Sequence, residues 1–175
     1  MMKRIILLII MIVSHAALYA DGFNIIPTPR SIICGEGHLS VNSSSTIWTD
    51  NGELQPIVNY VCQELGIYKS RNNPNIRLLI DTNLAEEEYR LSVSTDKIDI
   101  IGGGYGGVFY GVVTLMQLMP AEVYEEGIAT NIDIPCCEIM DGPRFEHRGF
   151  MLDVCRTWMD KEAVMEFIDL LAYHK

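Results

Sequence analysis

Apolar and polar positions follow two periods along this chain, and the switches between them lay out its elements. Over residues 89–94, Tyr89, Leu91 and Val93 alternate with Arg90, Ser92 and Ser94, the period of a half-buried strand. Asp96 and Lys97 turn the chain and Ile98, Ile100 and Ile101 return, which predicts a β-hairpin over residues 89–101. Residues 53–65 carry Ile57, Val58, Val61, Cys62 and Leu65 at helical spacing, with Gly66 as the stop. A second, more apolar helix is predicted over residues 108–119, with Val112, Leu115, Met116 and Met119 on one face and Pro120 ending it. Residues 31–49 read as short strands broken by Gly35, Gly37 and a polar turn at Asn42 to Ser45. An apolar strand is expected over 76–81 and a last one over 131–140, with loops over 69–75 and, acidic, over 124–130. Pro27 and Pro29 forbid a helix over 23–30 and make it an extended lead-in.

These elements predict an α+β domain over residues 21–141, with about five or six mostly antiparallel strands carrying two helices. Asp141-Gly142-Pro143 then punctuates the chain like a domain junction. Beyond it, Phe150, Met151, Leu152 and Val154 predict a short apolar strand with Arg148 ahead of it and Asp153 near its exit. A helix follows over 160–175, with Asp160 as N-cap and Val164, Phe167, Ile168 and Leu171 as its apolar stripe. Charged groups bracketing a strand that feeds a helix are typical of a β/α barrel unit. One such unit cannot bury its own faces, so residues 142–175 are expected to begin something larger.

The first twenty residues change the picture of where the chain works. Lys3 and Arg4 precede an unbroken apolar run from Ile5 to Val13, and a small-residue zone follows to Ala20. The run is too short to span a bilayer as a helix, so residues 1–20 are expected to be a cleaved export signal, with an uncleaved anchor as the alternative. Cleavage after Ala20 would leave 11 basic against 23 acidic side chains, a net charge of −12. Such an acidic product is a poor binder of nucleic acid or anionic membrane, whereas a neutral sugar is compatible with it. Cys34, Cys62, Cys136, Cys137 and Cys155 make an odd set without regular spacing, most of them read as small buried apolar residues rather than parts of a disulfide scaffold.

Few motifs carry chemistry. Gly102 to Gly107 contains G-x-G-x-x-G between a strand and a helix, but the strand belongs to a hairpin and no acidic strand end follows. The glycines are therefore expected to let the helix pack tightly on the sheet, and no cofactor is expected. His15, His38, His147 and His174 share no metal-ligand spacing, so no metal site is expected. Arg148 could fork two hydrogen bonds to vicinal hydroxyls or a carboxylate, or pair with Asp153 or a carboxylate from another strand. Asp153 and Arg156 lean to a structural role, and Glu162, Glu166 and Asp169 to solvated positions.

Four segments resemble glycoside hydrolase family 20, the β-N-acetylhexosaminidases. Ile26-Pro27-Thr28-Pro29 is similar to the family's opening Ile-Pro-x-Pro, and Glu88 to Leu91 with Ile98 and Ile100 to its hairpin. Residues 107–118 resemble its Gly-x-Phe-Tyr-Gly-x-x-Thr-Leu-x-Gln-Leu helix, and residues 143–156 the opening of its catalytic barrel. The resemblance implies an α+β N-terminal domain, with a mostly antiparallel sheet and helices on one face. The start of a TIM (β/α)8 barrel follows it over residues 142–175. It implies a glycan substrate bearing terminal β-linked N-acetylglucosamine or N-acetylgalactosamine, and aligns Arg148 with the arginine that holds the sugar's 3- and 4-hydroxyls. It also implies substrate-assisted retaining hydrolysis, in which the 2-acetamido oxygen is the nucleophile and an Asp–Glu pair assists. No adjacent Asp and Glu occur in these 175 residues, so no catalytic residue is assigned and the stretch alone is expected to be inactive. Thr157-Trp158 departs from the family's usual His-Phe. Two rivals remain: a family 84-type N-acetylglucosaminidase, and a non-enzymatic sugar-binding or vestigial module.

Overall fold

The computed structural model describes residues 23–121, 123 and 131–175; the predicted leader at 1–20 and the acidic loop at 124–130 lie outside the described residues. One seven-stranded sheet dominates. Its strands are β1 (Ser31–Val41), β2 (Thr46–Thr49), β3 (Tyr68–Lys69), β4 (Ile76–Ile80), β5 (Tyr89–Val93), β6 (Ile98–Gly102) and β7 (Ile132–Asp141). They lie side by side in the order β1-β7-β5-β6-β4-β2-β3. Helices α1 (Gln55–Leu65) and α2 (Tyr105–Gln117) belong to this domain, and α3 (Lys161–Tyr173) follows the junction.

Register explains why the sheet is one-sided. Leu78 lies opposite Ile100, Ile100 opposite Leu91, and Leu91 opposite Ile139. The adjacent row runs Ile47, Ile76, Ile98, Val93 and Cys137. Both rows are buried together with Ile57, Val58, Val61 and Leu65 of α1 and Val108, Val112, Leu115 and Met116 of α2. Residues one step out of phase form a polar ladder on the other face, where Arg77 sits opposite Asp99, Asp99 opposite Ser92, and Ser92 opposite Glu138. The period-2 pattern is what separates the two faces.

On that polar face, Arg77 Nε and Nη2 donate to the two Asp99 carboxylate oxygens at 2.6 and 2.5 Å. Burial alone would lift the Asp99 carboxyl, but the Arg77 hydrogen bonds and charge, aided by Lys97, outweigh it and hold it below the usual carboxylate range. A carboxyl depressed in the folded state contributes stability above its unfolded value and loses it as pH falls through the folded one. The stability advantage of the wild type over Asp99→Asn is therefore expected to be full near neutral pH and to shrink once pH passes below the ordinary value of 3.8. Urea unfolding of the two proteins along a descending pH series checks this. An advantage that stays constant with pH would contradict it.

The α+β class and helices on one face stand, but the sheet is mixed rather than mostly antiparallel. β1–β7, β5–β6 and β5–β7 are antiparallel, whereas β2–β3, β2–β4 and β4–β6 are parallel. Helix α1 is the cause: it carries the chain over one sheet face from β2 to β3 and β4, and such a crossover returns the strand parallel. The predicted loop at 69–75 begins with β3, only two residues long. Residues 31–41 form one strand rather than short pieces, with a register irregularity between Cys34 and His38 where Gly37 takes φ +87°.

Cys136 and Cys137 are both buried, and burial pushes the Cys137 thiol up to about 12. A Cβ on Gly35 would lie 3.1 Å from the Cys136 Cβ, so β1 covers that side chain closely. Cys34 and Cys155 are exposed, against the expectation of buried apolar cysteines.

Past the junction, α3 forms as expected, and Asp160 Oδ1 accepts the Ala163 N–H at 2.8 Å as its cap. The predicted strand at Phe150–Val154 does not form. Phe150 is 63% and Met151 89% exposed, and no strand among the described residues lies beside them to complete a ladder. Phe150 instead packs on Phe167 of α3, with ring centroids 4.9 Å apart. The α3 stripe is only half-covered, with Ile168 and Leu171 exposed.

Candidate functional site

The glycine segment sets the geometry of the site. A Cβ on Gly103 would lie 1.9 Å from the Ala85 carbonyl oxygen, and one on Gly107 2.4 Å from that of Glu88. Without those atoms, residues 85–88 lie directly on the start of α2. The Gly103 N–H donates to Glu88 O at 2.9 Å and the Gly107 N–H to Glu86 O at 3.2 Å. Peptide carbonyls thus occupy the place where a dinucleotide's pyrophosphate would have to sit. The tight-packing reading of the glycines holds.

That strap presents Glu87 to Arg148. Arg148 Nη2 donates to Glu87 Oε1 at 3.1 Å and to the Tyr110 hydroxyl at 3.2 Å, and Nη1 donates to Phe145 O at 2.9 Å. Tyr110 in turn donates to Glu87 Oε1 at 3.1 Å, and its ring lies under the guanidinium, 5.7 Å from centroid to Cζ. Burial would lower the Arg148 pKa, but the Tyr110 and Glu87 hydrogen bonds and charge outweigh it and raise it. The arginine keeps its charge under any working condition, with 29% of its side chain exposed.

Arg148 lines a cavity of about 260 Å³ between the end of the sheet and the segment past the junction. Tyr89, Tyr110, Asp141, Phe145 and Lys175 also line it. At its floor the Tyr89 hydroxyl lies 2.5 Å from Thr114 Oγ1 and 3.3 Å from Asp141 Oδ2. Lys175 Nζ donates to the Tyr89 hydroxyl at 3.0 Å and stands 3.6 Å from Asp141 Oδ2. Burial lowers the Lys175 pKa more than the Asp141 charge raises it, and burial pushes the Tyr89 phenol well up. The cavity therefore combines an aromatic wall, a fixed cation at the rim and a neutral phenol below. That set suits a polar, uncharged ligand with hydroxyl groups.

Of the residues singled out from sequence, Arg148 meets a carboxylate from the first domain, not Asp153. Asp153 instead pairs with Arg156 at 3.0 Å and accepts the Cys155 and Arg156 N–H groups. Glu162, Glu166 and Asp169 are exposed, as expected. Sequence reasoning missed Glu87, Tyr110, Tyr89, Asp141 and Lys175. One signal was present: Tyr110, Thr114 and Gln117 recur four and then three residues apart in an otherwise apolar helix, which puts three polar groups on one stripe.

Comparison with known proteins bears on what this arrangement belongs to. The chain is similar to the β-hexosaminidase of Porphyromonas gingivalis, 35% identical over 170 residues, covering 90% of this chain and 22% of that protein. The fold matches the Streptomyces plicatus N-acetyl-β-hexosaminidase in complex with thio-NAglucal, with a TM-score of 0.79 and 28% identity over 86% of this chain and 32% of that one. It also matches the Vibrio harveyi family 20 exo-β-N-acetylglucosaminidase in complex with N-acetylglucosamine, with a TM-score of 0.74, 26% identity and 24% of that chain covered. The chain thus spans between about a fifth and a third of the length of these relatives. The model of glycosyl hydrolase family 20, domain 2, matches residues 22–142, and that of the family's catalytic domain matches 145–175. The two matches meet at Asp141 to Arg144, where the sheet ends and the cavity opens, and they place this chain in glycosyl hydrolase family 20.

Proposed function

We propose that the chain is the N-terminal part of an exported β-N-acetylhexosaminidase, which hydrolyses terminal β-linked N-acetylglucosamine or N-acetylgalactosamine from glycans. Residues 1–20 serve as the export signal, and 142–175 form the first β/α unit of a (β/α)8 catalytic barrel. Arg148 holds the 3- and 4-hydroxyls of the terminal sugar. The observation that carries this reading is the family match running from one side of the junction to the other, with Arg148 on the cavity rim beside it. Family membership sets aside the family 84 rival.

The chemistry divides cleanly between substrate and protein. The 2-acetamido oxygen attacks the anomeric carbon and the glycosidic oxygen leaves with a proton from a carboxylic acid; water then opens the cyclic intermediate with retention. The Asp–Glu pair for that work is not among these 175 residues. What this chain supplies is binding and orientation through a guanidinium fork matched to two neighbouring hydroxyls.

Hydrolysis of a chromogenic N-acetyl-β-glucosaminide tests the division. The 175-residue chain is expected to show background turnover. A chimera joining it to the remainder of the Porphyromonas gingivalis relative's catalytic domain is expected to hydrolyse the substrate. Turnover by the chain alone, or none by a chimera that unfolds cooperatively, would overturn the proposal, the second result favouring a vestigial module.

A further inference from the structure

We propose that Tyr89, Thr114, Asp141 and Lys175 form a registration site, by which the α+β domain fixes where the segment past the junction is seated. The site lies on the cavity floor and joins four separate parts of the chain. Tyr89 opens β5, Thr114 stands in mid-α2 and Asp141 ends β7, while Lys175 arrives from the far side of α3. Only 8% of the Lys175 side chain and 11% of the Asp141 side chain are exposed. The Asp141 carboxylate is held from its own domain as well, since Oδ1 accepts the Arg30 N–H at 3.3 Å.

A buried ion pair of this kind is weak evidence for stability, because desolvation offsets its attraction. Its geometry nevertheless specifies position. Sliding α3 by one residue would move Lys175 by about 1.5 Å, enough to break a 3.0 Å hydrogen bond, whereas an apolar seat would tolerate the shift. A second tie lies beside it, where the Gln117 side-chain amide donates to Tyr173 O at 3.0 Å and to Ile26 O at 2.9 Å. At the other end of the segment, Tyr110 holds Arg148. Tyr110, Thr114 and Gln117 lie on one stripe of α2, so a single helix face gauges both ends.

The inference does not depend on the enzymatic reading, and its test uses no substrate. Hydrogen exchange of the 175-residue chain is followed in α3 and, as internal reference, in β5 and β6. Asp141→Asn strands a buried ammonium group and is expected to speed exchange of the α3 amides roughly tenfold or more, with β5 and β6 unchanged. The double variant Asp141→Asn with Lys175→Met, close in volume but uncharged, is expected to recover most of that protection. Thr114→Val, which removes only the hydroxyl beside Tyr89, provides a milder arm if Asp141→Asn does not fold; a smaller acceleration confined to α3 is expected. Unchanged α3 exchange, acceleration spread equally through the sheet, or a double variant no better than the single one would overturn the proposal.

Discussion

Gly103→Ala is expected to lower the stability of the α+β domain sharply. The new Cβ would sit 1.9 Å from the Ala85 carbonyl oxygen, a backbone atom that no rotamer change can move aside. Relief requires the strap at 85–88 to lift off the start of α2, which breaks the Gly103–Glu88 and Gly107–Glu86 hydrogen bonds. Overpacking against a flexible side chain costs about 1–3 kcal/mol, and against fixed backbone the cost reaches or passes the top of that range. For a chain of this size that is a fall in Tm of roughly 6–12 °C. Gly52→Ala is the control, because nothing lies within 4 Å of the added atom there. Thermal unfolding by circular dichroism should separate the two; equal Tm values would show that the strap does not bear on α2 as described.

Arg148→Ala has the largest expected effect on activity, measured in the active chimera. Two hydrogen bonds from a charged donor to sugar hydroxyls are each worth about 1.5–3 kcal/mol, which puts the loss in kcat/KM at roughly 10²–10⁴-fold. Arg148→Lys is expected to recover little of it, since an ammonium group offers a point charge in place of a planar fork. Glu87→Gln separates holding from binding: the guanidinium remains but loses its carboxylate partner, so a smaller loss is expected. If kcat/KM of Arg148→Ala stays within about threefold of wild type while its Tm falls, Arg148 is a brace between domains and nothing more.

What could be read from the chain and what could not divide along physical lines. The hairpin at 89–101 and helices α1 and α2 were legible because each buries a face by a local repeat, as with Leu91 and Val93 opposite Ile100 and Ile98, and α3 because Asp160 caps a periodic apolar stripe. The parallel half of the sheet was not, since β2 and β3 are four and two residues long and their pairing is decided by the path of α1. Phe150 to Val154 has the composition of a strand, but a strand exists only with a neighbour to bond. At the site, Arg148 stood out from local context alone. Glu87 did not, because in sequence it is one of three consecutive glutamates and only the glycines of the following loop turn it toward Arg148. Asp141 and Lys175 look like a junction residue and a helix-end cation until the fold brings them to 3.6 Å.

The irregularity in β1 has a consequence for how the molecule behaves in company. β1 is an outermost strand of eleven residues, long enough for its outer hydrogen-bonding groups to recruit a strand from another copy. The slip between Cys34 and His38, with Gly37 in a left-handed conformation, breaks that template midway. The slip leaves two paired stretches, 31–34 and 38–41, and a shortened, irregular edge of this kind disfavours edge-to-edge accretion, so the kink that covers Cys136 also blunts the strand edge beside it.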